Sequence, residues 1–220
     1  SKVYNGSLVK EGQGTLVLLG TNTYEGTTTV NGGTLLALTE SIGEDNTVTV
    51  GEEGTFGVLS SYNDNFTMTG VHTSKATKED KLTIDLTAGG TLLVDAASNV
   101  EVAKVDFGDS GTKNVVVGLV GADTEQLAKA YKGETEFSGS ITSDADDFTD
   151  VKPTTMATDS AFFTVGKSEV STDGKTLSVG VESNGKKVAD FAQGKNATAI
   201  ATALENGPAN GMLGTVLTMT

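Results

Sequence analysis

The chain has 220 residues, of which 36% are hydrophobic, 5% aromatic and none Trp, so its core must be built from many small layers of Leu, Val, Ile and Ala, which favours a thin, elongated body. Its formal net charge is −14 and all 15 basic residues are Lys; such a surface repels phosphate backbones and anionic membranes, and it lacks the side chain best suited to bidentate capture of phosphate. The absence of Cys excludes disulfides, thiolate metal sites and a cysteine nucleophile, and no apolar run approaches the ~20 residues of a membrane-spanning helix.

The first predicted strand is Thr15-Leu16-Val17-Leu18-Leu19, with Leu16 and Leu18 on one face and turn residues Gly20 and Asn22 behind it. Thr27-Thr28-Thr29-Val30 follows, rich in β-branched residues, and ends at Asn31, Gly32 and Gly33. A third run, Thr34-Leu35-Leu36-Ala37-Leu38, begins at once. Its inward face is either Leu36 with Leu38 or Leu35 with Ala37. The pattern then returns: Thr47-Val48-Thr49-Val50 leads into Gly51-Glu52-Glu53-Gly54-Thr55-Phe56-Gly57-Val58, and Leu82-Thr83-Ile84-Asp85-Leu86 leads into Gly89-Gly90-Thr91-Leu92-Leu93-Val94.

The recurring unit is a Gly pair, a Thr, then alternating apolar residues, at a spacing that marks a repeat architecture. A short strand with one apolar face cannot bury that face alone, but successive coils stacked on each other seal it into a continuous narrow core. Gly and Asn supply the corners, Thr the wet face, Leu and Val the interior. At ~4.8 Å per stacked strand and roughly 20–25 residues per coil, the chain is expected to form about ten coils and a rod about 50 Å long.

Later elements are mixed. Residues 123–133 read as a short helix: Asp123 caps it with Gln126 three places on, Leu127 pairs with Tyr131, and Gly133 stops it. A second helix is predicted over 196–205, ended by Gly207 and Pro208. Between them, residues 143–155 form an acidic loop, and strands resume at 162–165 and 175–181.

The series Gly12-x-Gly14-Thr15-Leu16-x-Leu18-x-Gly20-x-Asn22-Thr23-Tyr24-x-Gly26-x-Thr28-x-Val30-x-x-Gly33-Thr34-Leu35 closely resembles the passenger-associated repeat of type V autotransporters. The specific match spans about one tenth of the chain, and the echoes at Gly51 and Gly89 are degenerate. Asn196 with the Ala-rich helix through Leu204, preceded by the stretch 164–181, resembles the segment before the linker and membrane barrel in members with a subtilisin-like N-terminal domain. The resemblance implies an all-β, right-handed parallel β-helix with one or two short helices, exported beyond the outer membrane of a Gram-negative cell. It also implies that the C-terminal coils fold first and support export. The chain carries no barrel, linker helix or protease domain, and its opening residues show no signal-peptide core, so it reads as a mature segment of a longer protein. Residues 1–105 are expected to hold the clearest coils, and 106–220 a less regular region close to the translocator.

Chemical motifs are sparse. Gly108-Asp109-Ser110-Gly111 is the tetrapeptide around the nucleophile of trypsin-like proteases, and His72 precedes it in the right order. However, far less chain lies between His72 and Ser110 than a two-barrel scaffold requires, and a polar turn is the simpler reading. His72 is the sole histidine, which rules out a multi-histidine metal site. Asp144, Asp146, Asp147 and Asp150 could offer oxygens to Ca²⁺, without the spacing of a calcium loop; a solvated acidic loop is the alternative. No residue is assigned a catalytic, cofactor-binding or metal-binding role, and no cofactor is expected.

Three function classes follow. The first is a non-catalytic passenger stem at the cell surface, partnered with its own translocator barrel and an N-terminal effector domain such as a protease. The second is an adhesin that meets a cell-surface protein through loops such as 61–80. The third, a carbohydrate-acting β-helix, is disfavoured by the scarcity of aromatics and the lack of Arg. Neither nucleic-acid binding nor direct membrane insertion is expected.

Overall fold

Alternation of apolar and Thr residues in the first half produces strands that lie parallel in one ladder. The computed structural model describes residues 6–42, 47–64, 70–73, 81–109 and 111–218. Strands β1 (Leu8–Lys10) and β2 (Thr15–Leu18) form the first rung, β3 (Thr28–Leu38) the second and β4 (Thr47–Leu59) the third. After the hairpin β5 (Ser61–Asp64) and β6 (Gly70–Thr73), the fourth rung comprises β7 (Thr83–Asp85), β8 (Thr91–Asp95) and β9 (Asn99–Glu101). The fifth contains β10 (Lys104–Asp106) and β11 (Val115–Gly118). Along one face the order is β1-β3-β4-β7-β10, every neighbour parallel, giving a β-solenoid of about four turns.

Register converts the sequence pattern into core columns. Leu8, Thr28, Val48, Ile84 and Val105 are stacked partners on one face. Leu16, Leu35, Phe56, Leu92 and Val115 are stacked on the next. Leu35, Phe56, Leu92, Val48 and Ile84 have no exposed surface, so each rung hides the apolar side of its neighbour. The ambiguity over 34–38 resolves both ways. Leu35 and Ala37 enter the main core, while Leu36 and Leu38 join Leu59 and Leu93 in a second cluster outside the same sheet. The expected turn at Asn31-Gly32-Gly33 is instead a bend inside one strand, where register shifts between Val30 and Gly32 and Gly33 takes φ +66°.

Ten coils were too many to expect. Stacked partners recur after 20 residues (8 to 28, and 28 to 48) and 21 (84 to 105), but after 36 between Val48 and Ile84, because the hairpin is inserted there. Beyond β11 the ladder also changes type. Helix α1 (Thr124–Tyr131) intervenes; β12 (Phe137–Thr142) still pairs parallel with β9, but pairs antiparallel with β14 (Thr176–Ser183), which pairs antiparallel with β13 (Phe163–Val170). The predicted strands at 162–165 and 175–181 therefore exist but are not coils. The turn between β13 and β14 is too short for a parallel crossover: Ser171 N–H donates to Thr176 O at 2.9 Å, and Asp173 Oδ1 accepts from the Ser171 hydroxyl at 2.6 Å.

Both predicted helices are present. In α1, Gln126 N–H donates to Asp123 Oδ1 and Asp123 N–H to Gln126 Oε1, each at 2.8 Å, the expected reciprocal cap. The second is α3 (Lys195–Asn206), flanked by α2 (Val188–Phe191) and α4 (Gly211–Leu217). The thin core holds only for the solenoid. Phe137, Phe148, Phe162 and Phe163 are all buried in the C-terminal half, where Tyr131, Phe162 and Phe191 pack edge to face with centroids 5.7 and 5.2 Å apart.

Candidate interaction surface

The hairpin β5–β6 is the one insertion into a rung among the described residues, and its base is fixed to the solenoid by polar contacts. Ser61 to Asp64 pair antiparallel with Thr73 to Gly70, which sets His72 opposite Tyr62. Asn63 N–H donates to Val120 O at 3.1 Å and Asn63 Nδ2 to Ala122 O at 2.8 Å. Ser60 N–H donates to Ser98 Oγ at 3.2 Å and Asn99 N–H to Ser60 Oγ at 3.1 Å. Tyr62 also packs on the outer apolar cluster of Leu36, Leu38, Leu59 and Leu93.

Asp95 is the hub beneath this base. Its carboxylate accepts from Val120 N–H at 2.6 Å, Ser98 Oγ–H at 3.0 Å, and the Gly121 and Ala97 N–H groups at 3.2 Å each. At 2% exposure, burial pushes its carboxyl above the usual carboxylate range, and these four donors pull against that rise. The group has all the donors it needs, so it braces the corner that carries the hairpin.

The other sequence candidates are spread out. Asp109 is exposed in the loop before β11, whereas the hairpin base meets the chain at 120–122, beyond the far end of that strand. Ser110 lies outside the described residues, as do 65–69 and 74–80 of the loop 61–80. The four loop aspartates have separate tasks. Asp144 pairs with Lys81 at 2.5 Å; Asp147 Oδ2 accepts from Val105 N–H at 2.8 Å; Asp146 and Asp150 are exposed. No three His, Cys, Asp or Glu side chains converge as a metal site among the described residues.

This loop is more than a solvated linker. Phe148 is fully buried against Phe107, with centroids 6.5 Å apart, and Lys113 Nζ clamps the backbone by donating to Asp147 O at 3.0 Å and Thr149 O at 2.8 Å. Beyond it the chain rejoins the ladder, where Val117 N–H donates to Thr155 O at 2.9 Å and Ala157 N–H to Val117 O at 2.8 Å. The lone Phe within 143–155 was the available signal for that anchor.

At the helical end, Tyr131 O–H donates to Glu205 Oε1 at 3.0 Å, and the same carboxylate oxygen accepts from Ala189 N–H at 3.1 Å. Lys132 Nζ caps the end of α3 by donating to Glu205 O at 2.8 Å and to Gly207 O. A cleft of about 490 Å³ beside them holds Lys132, Lys186 and Lys187 against Glu134 and Glu205, a near-neutral lining rather than an anion site. No described helix is long and apolar enough to cross a membrane.

Comparison with known families adds one finding. Residues 8–37 match the family model of the passenger-associated-transport-repeat. The matched stretch is β1, β2 and most of β3, which is the first rung laid in register on the second. No curated protein and no solved structure matches the chain.

Proposed function

We propose that the chain is the non-catalytic stem of an autotransporter passenger, displayed at the cell surface, where it supports export and holds an N-terminal effector domain away from the membrane. The observation that carries this reading is that the passenger-associated-transport-repeat coincides with two stacked rungs whose partner residues run on through the solenoid. In such a stem, residues 1–105 serve as coil stack and 106–220 as the region nearest the chain's own translocator barrel. The effector in this reading is a serine protease outside these 220 residues. Apolar columns buried from rung to rung suit a spacer, whose work is stiffness.

A second reading, a surface adhesin, is favoured by the inserted hairpin. An insertion costs a solenoid nothing in its core, and this one is tied down by Asn63, Ser60 and Asp95 as a presented loop would be. Deleting residues 61–80 in the full-length protein separates the two. Display retained with cell binding lost supports the adhesin; display and binding both unaffected support the stem. Secretion of a full-length protein that needs no solenoid at all, shown by deleting 8–118 without loss of display, would refute the stem.

A further inference from the structure

The edge of the fifth rung lies inside the chain, and the chain itself covers it. Among the described strands β10 pairs only with β7 and β11 only with β8, so the far side of each presents backbone groups to something other than a named strand. Residues 143–157 take them up. Asp144 N–H donates to Ala103 O at 3.3 Å, and Val105 N–H donates to Asp147 Oδ2 at 2.8 Å, so beside β10 a carboxylate stands where a further strand would put a carbonyl. Beside β11 the same segment bonds as backbone. Thr155 O accepts from Val117 N–H at 2.9 Å, and Ala157 N–H donates to Val117 O at 2.8 Å.

Between these two attachments the hold is narrow. Phe148 and Val151 are buried, Phe148 N–H donates to Gly174 O at 3.0 Å, and Lys113 Nζ holds the carbonyls of Asp147 and Thr149. At the start, Asp144 pairs with Lys81. Asp150 turns the chain with φ +63°, the one residue other than Gly with positive φ among the described residues. The coils are secured differently: β3 is paired with β4 from Thr28 to Leu38 by continuous ladder bonds.

We propose that residues 143–157 form a strap that opens as one unit and, while shut, keeps the edge of β10 and β11 from pairing with a second copy of the chain. A segment held by few bonds opens at lower cost than the ladder it rests on. Opening bares a row of N–H and C=O groups beside Val105, Phe107 and Val117, all buried while the strap is shut. Such an edge is a template for another chain. The segment that fits it is the strap itself, and a second copy carries the same segment, so exchange of straps between copies reproduces every bond of the closed form. The inference holds whether the chain is a stem or an adhesin.

The test uses the whole chain. Asp147→Ala removes the acceptor of Val105 N–H, and Lys113→Met removes both clamp bonds while keeping a long side chain over Phe107. Amide exchange reads the result at Val117 and Ala157, neither of which is bonded to a replaced side chain. In each variant both amides are expected to exchange about tenfold faster, with those of β3 and β4 unchanged. Sedimentation over a wide concentration range is expected to show dimers of the variants where the wild type stays monomeric. Acceleration confined to Val105 overturns the proposal, as does equal acceleration in β3 and β4, which would mean that strap and solenoid open together. Variants that exchange faster at Val117 and Ala157 yet stay monomeric throughout overturn it as well. Should one variant fail to fold by circular dichroism, the other decides it.

Discussion

Asp95 Oδ2 accepts the Gly121 N–H at 3.2 Å, and a Cβ on Gly121 would lie 2.9 Å from that same oxygen and 2.7 Å from Ser61 Oγ. The missing side chain lets the backbone after β11 approach both the hub carboxylate and the hairpin base. Gly121→Ala must therefore displace the Ser61 hydroxyl, the Asp95 carboxylate or the Ser61 carbonyl, the last of which would lie 2.9 Å from the new Cβ. The expected cost is ~1–3 kcal/mol, typical of overpacking at a close contact, read as a lowered urea midpoint with an unchanged slope. An unaltered midpoint would show that the corner yields without strain.

Asp95→Asn tests the hub itself. Both carboxylate oxygens accept from N–H or O–H donors, so an amide must turn its NH₂ toward at least one donor and lose ~1–3 kcal/mol. The pH dependence has a definite sign. The folded carboxyl is raised above its ordinary value of 3.8 by burial, so the folded chain holds this proton more tightly than the unfolded chain does. Its contribution to stability is complete below 3.8 and is lost as pH rises through the folded value. The wild-type advantage over Asp95→Asn should thus widen from about pH 7 to about pH 4 in paired urea titrations, and a gap that narrows would contradict the linkage. Asp106 works the opposite way: its hydrogen bond from Lys104 lowers its carboxyl, so that small, exposed contribution is lost in acid.

The repeat made the first four rungs legible because each carries its own evidence, a Gly corner, a Thr, and apolar residues two apart; the fifth, β10 and β11, lacks that unit and was not read from the sequence. The capping pair Asp123 and Gln126 made α1 legible for the same local reason. What could not be read was set by contacts between distant residues. Leu36 and Leu38 look identical in pattern to an inward pair, yet they build an outer cluster that is covered by residues from distant parts of the chain, among them Val17, Tyr62 and Val120. Strands β13 and β14 have the composition of coils, and only the tight turn at Ser171 and Asp173 makes them a hairpin. Asp95 offered no signal, since its four donors come from residues 97, 98, 120 and 121, on two different rungs.

Phe56 is the largest side chain in its column and has no exposed surface, between Leu35 and Leu92. Rungs above and below are fixed by backbone hydrogen bonds and cannot collapse into a void. Phe56→Ala is expected to cost ~3–5 kcal/mol, at the upper end for a core truncation, against ~2–5 for Leu36→Ala in the outer cluster. Both are measurable by urea denaturation. A Phe56→Ala loss smaller than that of Leu36→Ala would place the stabilising core outside the solenoid rather than inside it.

Tyr131 binds the helical end to the body through one hydroxyl, which accepts from Val188 N–H at 3.1 Å while donating to Glu205 Oε1 at 3.0 Å. Helix α3 buries only Ala201 fully, so this polar tie and the Lys132 cap hold it more than apolar packing does. Tyr131→Phe keeps the ring against Phe162 but leaves the Val188 N–H without its acceptor, at a cost of ~1–3 kcal/mol. Because the loss is local, amide exchange should quicken at Val188, Ala189 and along α3 while the solenoid amides of β3 and β4 keep their protection. Equal acceleration in both regions would mean that the helical end and the solenoid unfold as one cooperative unit.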